Sequence, residues 1–198
     1  EDLFAFQERV TRSLASLQDA ASIDELLGQA AQVVRGLTGF DRVWAYRFEP
    51  DGHGVIVAEE RHEHLPAFLG LHYPATDIPQ QARALYLRNR LRFIHDVEPE
   101  PAALEPLVNP VTGEWLDLSP GVLRAVSPIH IAYLKNMGAT ASMSIALAVR
   151  GELWGLISAH HYSGPQHVPH QARAACELVG LVCSMQLDAR EQLEASER

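Results

Sequence analysis

Two prolines, Pro74 and Pro79, bracket a single carboxylate, Asp77, and stiffen the backbone on both sides of it. Each proline fixes its own φ and pushes the preceding residue toward an extended conformation. Asp77 is thereby held on a rigid, irregular segment, flanked by Tyr73 and by the apolar run 68–71. A solvated loop aspartate needs no such rigidity. The segment reads as the rim of a ligand pocket into which Asp77 points; the other reading of Asp77 is an N-cap for the helix that follows.

Around this rim the chain alternates helical and strand-like patterning. Phe6, Val10, Leu14 and Leu17 recur at helical spacing over 3–19. Ser22, Ile23, Asp24 and Glu25 read as a capping box, opening a second helix whose stripe is Ile23, Leu26, Leu27, Ala30, Val33, Val34 and Leu37, ended by Gly39. Residues 42–48 alternate and are rich in aromatics, as in a strand, and a turn at 51–54 leads into a second strand at 55–58. A helix is expected from about 79 to 89 with proline at its start, followed by a short apolar segment at 91–94. Five of the 12 prolines then fall within 95–120, so this stretch reads as a long irregular excursion, functional or disordered.

Order returns at Ser127 and Pro128, which open a helix over about 129–137 closed by Gly138. Strands are expected at 142–149 and 153–161 about the turn Arg150, Gly151 and Glu152. From about 169 one helix runs to the end, with Ala175, Leu178, Val182, Met185 and Ala189 forming a seam suited to a partner helix. The sum is an α+β fold, an antiparallel sheet with helices packed on it. It reads as one domain over 1–198: helices at 1–38, a sheet with its pocket at 39–168, and a terminal helix at 169–198.

With 198 residues and 47% hydrophobic content the chain can bury both a core and a ligand. A net charge of −9 is the wrong sign for a nucleic-acid surface. No apolar run approaches membrane-spanning length, and no signal peptide opens the chain. Cys176 and Cys183 lie seven apart in a helical pattern and read as buried thiols, which fits a reducing, cytoplasmic setting. The start at Glu1 suggests a fragment of a longer protein.

Several residue types converge on a binding site. His130, Tyr133 and Met137 share one helical face. Ser142 and Ser144 share one strand face, which Ala146 and Ala148 continue; four small side chains leave room above a sheet. His160 is expected on the face of Ser158 and Trp154. Arg92 and Arg124 suit bidentate capture of carboxylates. Plainer readings stand beside each: His160 as a structural histidine, the two serines as a solvated sheet edge, the arginines as ion-pair residues. His160, His161, His167 and His170 invite a metal, but no HExxH or paired Cys/His spacing accompanies them.

In combination these signals resemble one family. Pro74, Ala75, Thr76, Asp77, Ile78 and Pro79 are similar to the PASDIP motif of phytochromes, with Thr76 in place of the usual serine. Residues 124–138, from Arg124 through Ser127, His130 and Tyr133 to Gly138, resemble its SPxHxxYLxNMG signature. Residues 154–161 resemble its WGLIxxHH strand. The likeness runs from about 40 to 190, in the family's order and spacing, and identifies the chain as the bilin-binding GAF domain of a bacterial phytochrome.

The resemblance implies roles for the matching residues. The Asp77 carbonyl accepts from pyrrole nitrogens, and its carboxylate reaches an arginine of a following PHY domain. His130 stacks near the pyrroles and bonds their shared water, while His160 bonds the D-ring carbonyl. Tyr46, Tyr73 and Tyr133 surround the D-ring, with Ile78 beside them on the rim. Arg92, Arg124, Tyr86, Ser142 and Ser144 form the propionate set, with Ser127 beside it, and the loop at 95–120 is where an upstream segment threads. Plant and cyanobacterial members attach their bilin through a cysteine immediately before the histidine matching His130; here that residue is Ile129. The implied cofactor is therefore biliverdin, anchored by a cysteine upstream of this chain. The implied function is a red/far-red photoreceptor module, not itself an enzyme, flanked by PAS and PHY domains. It would dimerise through its helices and feed a sensor histidine kinase. Two other classes remain: a GAF module for another ligand such as a cyclic nucleotide, against which the missing NKFDE-like motif counts, and a metal enzyme using His130, His160 and Asp77.

Overall fold

The amphipathic stripes become helices where the sequence caps them. The computed structural model describes residues 2–98 and 100–196. Helix α1 spans Leu3–Asp19 and α2 spans Ile23–Thr38. The capping box forms as expected: the Glu25 amide donates to Ser22 Oγ at 3.1 Å, and Glu25 Oε2 accepts the Ala21 amide at 2.7 Å. Gly39, at φ 70°, closes α2 in the left-handed conformation that glycine adopts at least cost.

Strands β1 (Arg42–Phe48) and β2 (Gly54–Arg61) form the expected hairpin. A two-residue strand β3 (His72–Tyr73) and a single 3-10 turn (Ala75–Asp77) lead into α3 (Gln80–Arg88). The short apolar segment proves to be a strand, β4 (Leu91–Ile94). Helix α4 (Pro128–Asn136), strands β5 (Ala141–Val149) and β6 (Glu152–His161), and helix α5 (His170–Ser196) follow. Between β4 and α4 the described chain carries only one isolated bridge, Val108 to Trp115, so the irregular excursion runs on to Ser127. Residues 197 and 198, where the terminal helix was also expected, lie outside the described residues.

The six strands form one sheet in the order β3-β2-β1-β6-β5-β4, antiparallel throughout. Strand alternation gives the sheet two faces. Val43, Ala45, Phe93, Met143, Ile145, Leu147, Ile157 and Ala159 point to one, where they pack on α1, α2 and α5 as the main core. Arg42, Trp44, Tyr46, Arg92, Ser142, Ser144, Leu156, Ser158 and His160 occupy the alternate positions and form the other face, beneath α3, α4 and the long loop.

Helix α5 packs on the sheet through Ala172, Cys176, Val179, Cys183 and Leu187, so close to β5 that a Cβ on Gly180 would lie 2.5 Å from Ile145 Cγ2. Of the expected seam Ala175 is buried, while Leu178, Met185 and Ala189 are exposed. One expectation changes: Trp154 does not share a face with Ser158 and His160. The β5–β6 register skips it, pairing Leu147 with Gly155 and Ala148 with Leu153. This bulge turns the indole to the helical side, where Nε1 donates to Glu191 Oε1 at 2.9 Å.

Candidate ligand site

The small residues of β5 leave a cavity of about 710 Å³ between the sheet and the layer of α3, α4 and rim loop, within the usual range for a small-molecule site. All 13 residues singled out as binding candidates line it: Tyr46, Tyr73, Asp77, Ile78, Tyr86, Arg92, Arg124, Ser127, His130, Tyr133, Ser142, Ser144 and His160. Sequence reasoning missed Trp44 and Leu156, which complete the floor. Their alternation with Tyr46 and Ser158 was available as a signal.

The floor is polar at one end and aromatic at the other. Ser142 and Ser144 are 2% and 7% exposed, which removes the solvated-edge reading, and Ser144 Oγ lies 3.3 Å from Ser158 Oγ. Strand pairing sets Arg92 opposite Ser144 and His160 opposite Ser142. Arg92 makes no ion pair here. Nη1 donates to Val122 O at 3.0 Å, and Nη2 to Arg124 O and Ala125 O at 3.0 and 3.1 Å. It therefore ties down the loop segment that carries Arg124, whose own Nη1 donates to Gly121 O. Burial, and then the neighbouring Arg124 cation, lower the Arg92 pKa to about 10.

At the aromatic end Tyr46 and Tyr73 approach to 6.1 Å between ring centroids. Burial pushes the Tyr46 hydroxyl up to about 12. The Tyr133 hydroxyl is raised too, by burial first and then by the Asp77 charge. Gly54 makes this arrangement possible: a Cβ there would sit 1.9 Å from Tyr46 Cζ. Gly54→Ala should displace the Tyr46 ring and cost about 1–3 kcal/mol, read from the urea midpoint. An unchanged midpoint would mean that the ring does not rest on Gly54.

Asp77 ends the 3-10 turn, and the cap of α3 is Pro79, without any side-chain bond. The carboxylate is thus not the helix cap but an exposed group at the cavity rim. What holds the rim is Arg83, one turn into α3. Its Nε donates to Ile78 O at 2.8 Å, and its Nη2 donates to Gly52 O and Ala75 O. The guanidinium also lies 4.1 Å from the Phe48 ring centre.

His160 is 5% exposed, and its Nδ1 is buried without a hydrogen-bond partner. Burial above all, then the nearby His130 and Arg42, lower its pKa to about 3; His130 is lowered by burial as well. The imidazole is therefore neutral in the fold but protonates below about 6.5 when unfolded. Stability is full above that value and is lost as pH falls toward about 3, by roughly 1.4 kcal/mol per pH unit. Urea midpoints between about pH 6.5 and 4 should fall, and His160→Gln should flatten that slope; an equal slope in the variant overturns the assignment.

Among the described residues no group of three or more His, Cys, Asp or Glu side chains could hold a metal ion. His161 turns away from the cavity to Asp41, at 2.9 Å. Cys176 and Cys183 are free and buried, their thiols pushed up to about 12 by burial. No helix among the described residues is long and apolar enough to cross a membrane.

A sheet with helices on one side and a roofed cavity on the other defines a ligand-binding domain of the GAF class. The GAF domain family matches residues 22–187, and the chain belongs to it. It is 47% identical over 194 residues to cyanobacterial phytochrome B of Nostoc sp., covering 98% of this chain and 26% of that protein. It is 46% identical over 188 residues to a bacteriophytochrome of Pseudomonas aeruginosa, covering 95% of this chain and 26% of that one. Two solved structures share its fold. The chromophore-binding domain of a bacteriophytochrome from R. palustris superposes with a TM-score of 0.92 at 41% identity, over 98% of this chain and 64% of that one. The phytochrome photosensory core module of Stigmatella aurantiaca gives 0.89 at 48% identity, over 98% and 38%. The chain thus spans about a quarter of the length of these curated relatives, which are phytochromes.

Proposed function

We propose that this chain is the chromophore-binding module of a red/far-red photoreceptor, with biliverdin as its bilin. The observation that carries the reading is the single cavity in which an aromatic end, a serine floor and an arginine edge meet. A linear tetrapyrrole is long, flat and apolar, with two carboxylates on one side, and this lining has the same asymmetry. His160 supplies a neutral imidazole with a buried, unpartnered nitrogen, suited to a ring carbonyl. Arg124 and the serines face the edge where propionates would lie. The Asp77 carbonyl and carboxylate stand at the rim, where pyrrole N–H groups and a neighbouring domain would meet them.

The bilin, when bound, supplies the absorption of light and the double-bond isomerisation. The residues lining the cavity would position it, neutralise its carboxylates and exclude water. Ile129 is 82% exposed and has no thiol, so covalent attachment falls to a cysteine upstream, as in biliverdin-binding relatives. The same kinship supports flanking PAS and PHY domains, a homodimer through the helices and a histidine-kinase output as further parts of this reading. The two free buried thiols accord with a cytoplasmic setting.

Biliverdin added to a chain extended upstream to include that cysteine should give a red-absorbing band that changes under red light. No such band, or a band indifferent to light, overturns the reading.

A further inference from the structure

The cavity does not account for the most deeply buried charge in the molecule. Arg42 is 1% exposed and does not line the site. Its Nη1 donates to Glu59 Oε1 at 2.7 Å, and the two side chains are 1% and 3% exposed. Glu59 Oε2 accepts the amides of Phe68 and Leu69 at 2.9 and 3.2 Å. The Arg42 guanidinium lies 3.7 Å from the Phe68 ring centre, within cation–π range.

Strand register connects this pair to the site. Arg42 stands directly opposite His160 on β6, and Glu59 directly opposite Trp44 on β2. Trp44 packs on Phe68 at 5.8 Å and meets His160 edge-on at 4.5 Å. The ion pair therefore fixes Phe68 from both sides, through its backbone amide and its ring. Phe68 backs Trp44, and Trp44 confines the imidazole. A buried pair seldom adds net stability over an apolar replacement, so its retention here calls for a positional reason.

We infer that the Arg42–Glu59 pair is a positioning device for His160, holding its ring in one orientation and one neutral tautomer at the deep end of the cavity. Its bearing on photochemistry rests on the function proposed above; the geometric claim does not. The titratable or charged groups facing His160 are Arg42 on the neighbouring strand and His130 on the helix above. A permanent cation one strand away disfavours a second positive charge, and the Trp44 indole, edge-on at 4.5 Å, packs directly against the ring.

The test is imidazole nitrogen NMR on the full chain, with the His160 signal assigned through His160→Gln. In the unaltered protein the His160 nitrogens should report one neutral tautomer down to about pH 5. In R42M/E59M, which removes both charges together, the apparent pKa should rise by about one unit and the two tautomers should interchange. Arg42→Lys, which keeps the cation, should restore most of the low value. Phe68→Leu leaves the pair in place but removes the link, so tautomer exchange should appear without the full pKa rise. Should the double variant fail to fold, Phe68→Leu and Arg42→Lys decide the matter. An unaltered tautomer and titration in R42M/E59M, an unaltered tautomer in Phe68→Leu, or a pKa in Arg42→Lys that rises as far as in a variant without the cation overturns the inference. Biliverdin loading of the chain extended upstream to its anchoring cysteine separates the two readings: no red band there sinks the proposed function and leaves the imidazole titration standing.

Discussion

Glu59→Ala should destabilise the domain by roughly 3–5 kcal/mol, because it leaves the Arg42 guanidinium buried with no counter-charge. The usual value for an exposed ion pair, at most about 1 kcal/mol, does not apply to side chains 1% and 3% exposed. The truncation also removes the acceptor for two loop amides, one bond part-buried and one exposed, each with a charged partner. Replacing both members, as in R42M/E59M, should recover most of the loss, since neither charge is then stranded. Urea denaturation followed by circular dichroism measures both variants. A single-variant loss below about 1 kcal/mol would show that water reaches the pair.

Ser144→Phe should abolish bilin uptake while leaving the fold in place. Ser144 lies mid-floor, between Arg92 on β4 and Ser158 on β6, with its side chain toward the cavity rather than the core. A phenyl group there occupies open volume, so it meets none of the crowding that penalises added bulk in a packed interior. It does occupy the plane a flat ligand must share with the floor. Titration with biliverdin should show affinity reduced at least about 100-fold, equivalent to about 2.7 kcal/mol. The urea midpoint should stay close to that of the unaltered chain. A variant that binds biliverdin equally well would place the ligand elsewhere.

The readily legible parts of this molecule were those governed by local rules. The capping box at Ser22 and Glu25, the glycine closing α2 and the alternation along β5 each depend on a few neighbouring residues. The 13 candidate residues came from a different source, the phytochrome-like motifs, and all of them line one cavity. What local reading missed was decided by register and by distant packing. The skipped pairing at Trp154 reversed the face of an aromatic that simple alternation assigned to the pocket. Leu91–Ile94 was too short to separate from a loop until β5 offered it a partner. Arg83 and Arg42 look like ordinary charged residues in sequence. Only the fold shows one stapling the rim through three carbonyls and the other enclosed beneath Phe68. Helix α5 carries two apolar surfaces, one packed on β5 and one open at Leu178 and Met185, and periodicity alone does not separate them.

The pairing of β1 with β6 bears on how the protein comes into being. These neighbours at the centre of the sheet pair residues 42–47 with residues 155–160, a strongly non-local contact of the kind that slows folding. A nascent chain can close the β1–β2 hairpin early, but half of the cavity floor emerges from the ribosome only with the final strands. Helix α2, made first, can cover the core side of β1 and β2, but until the later strands join, the cavity side with Trp44 and Tyr46 stays open, a state prone to association. The cavity floor is therefore complete only once β5 and β6 have joined β1 and β2, and any ligand of this cavity meets an assembled sheet.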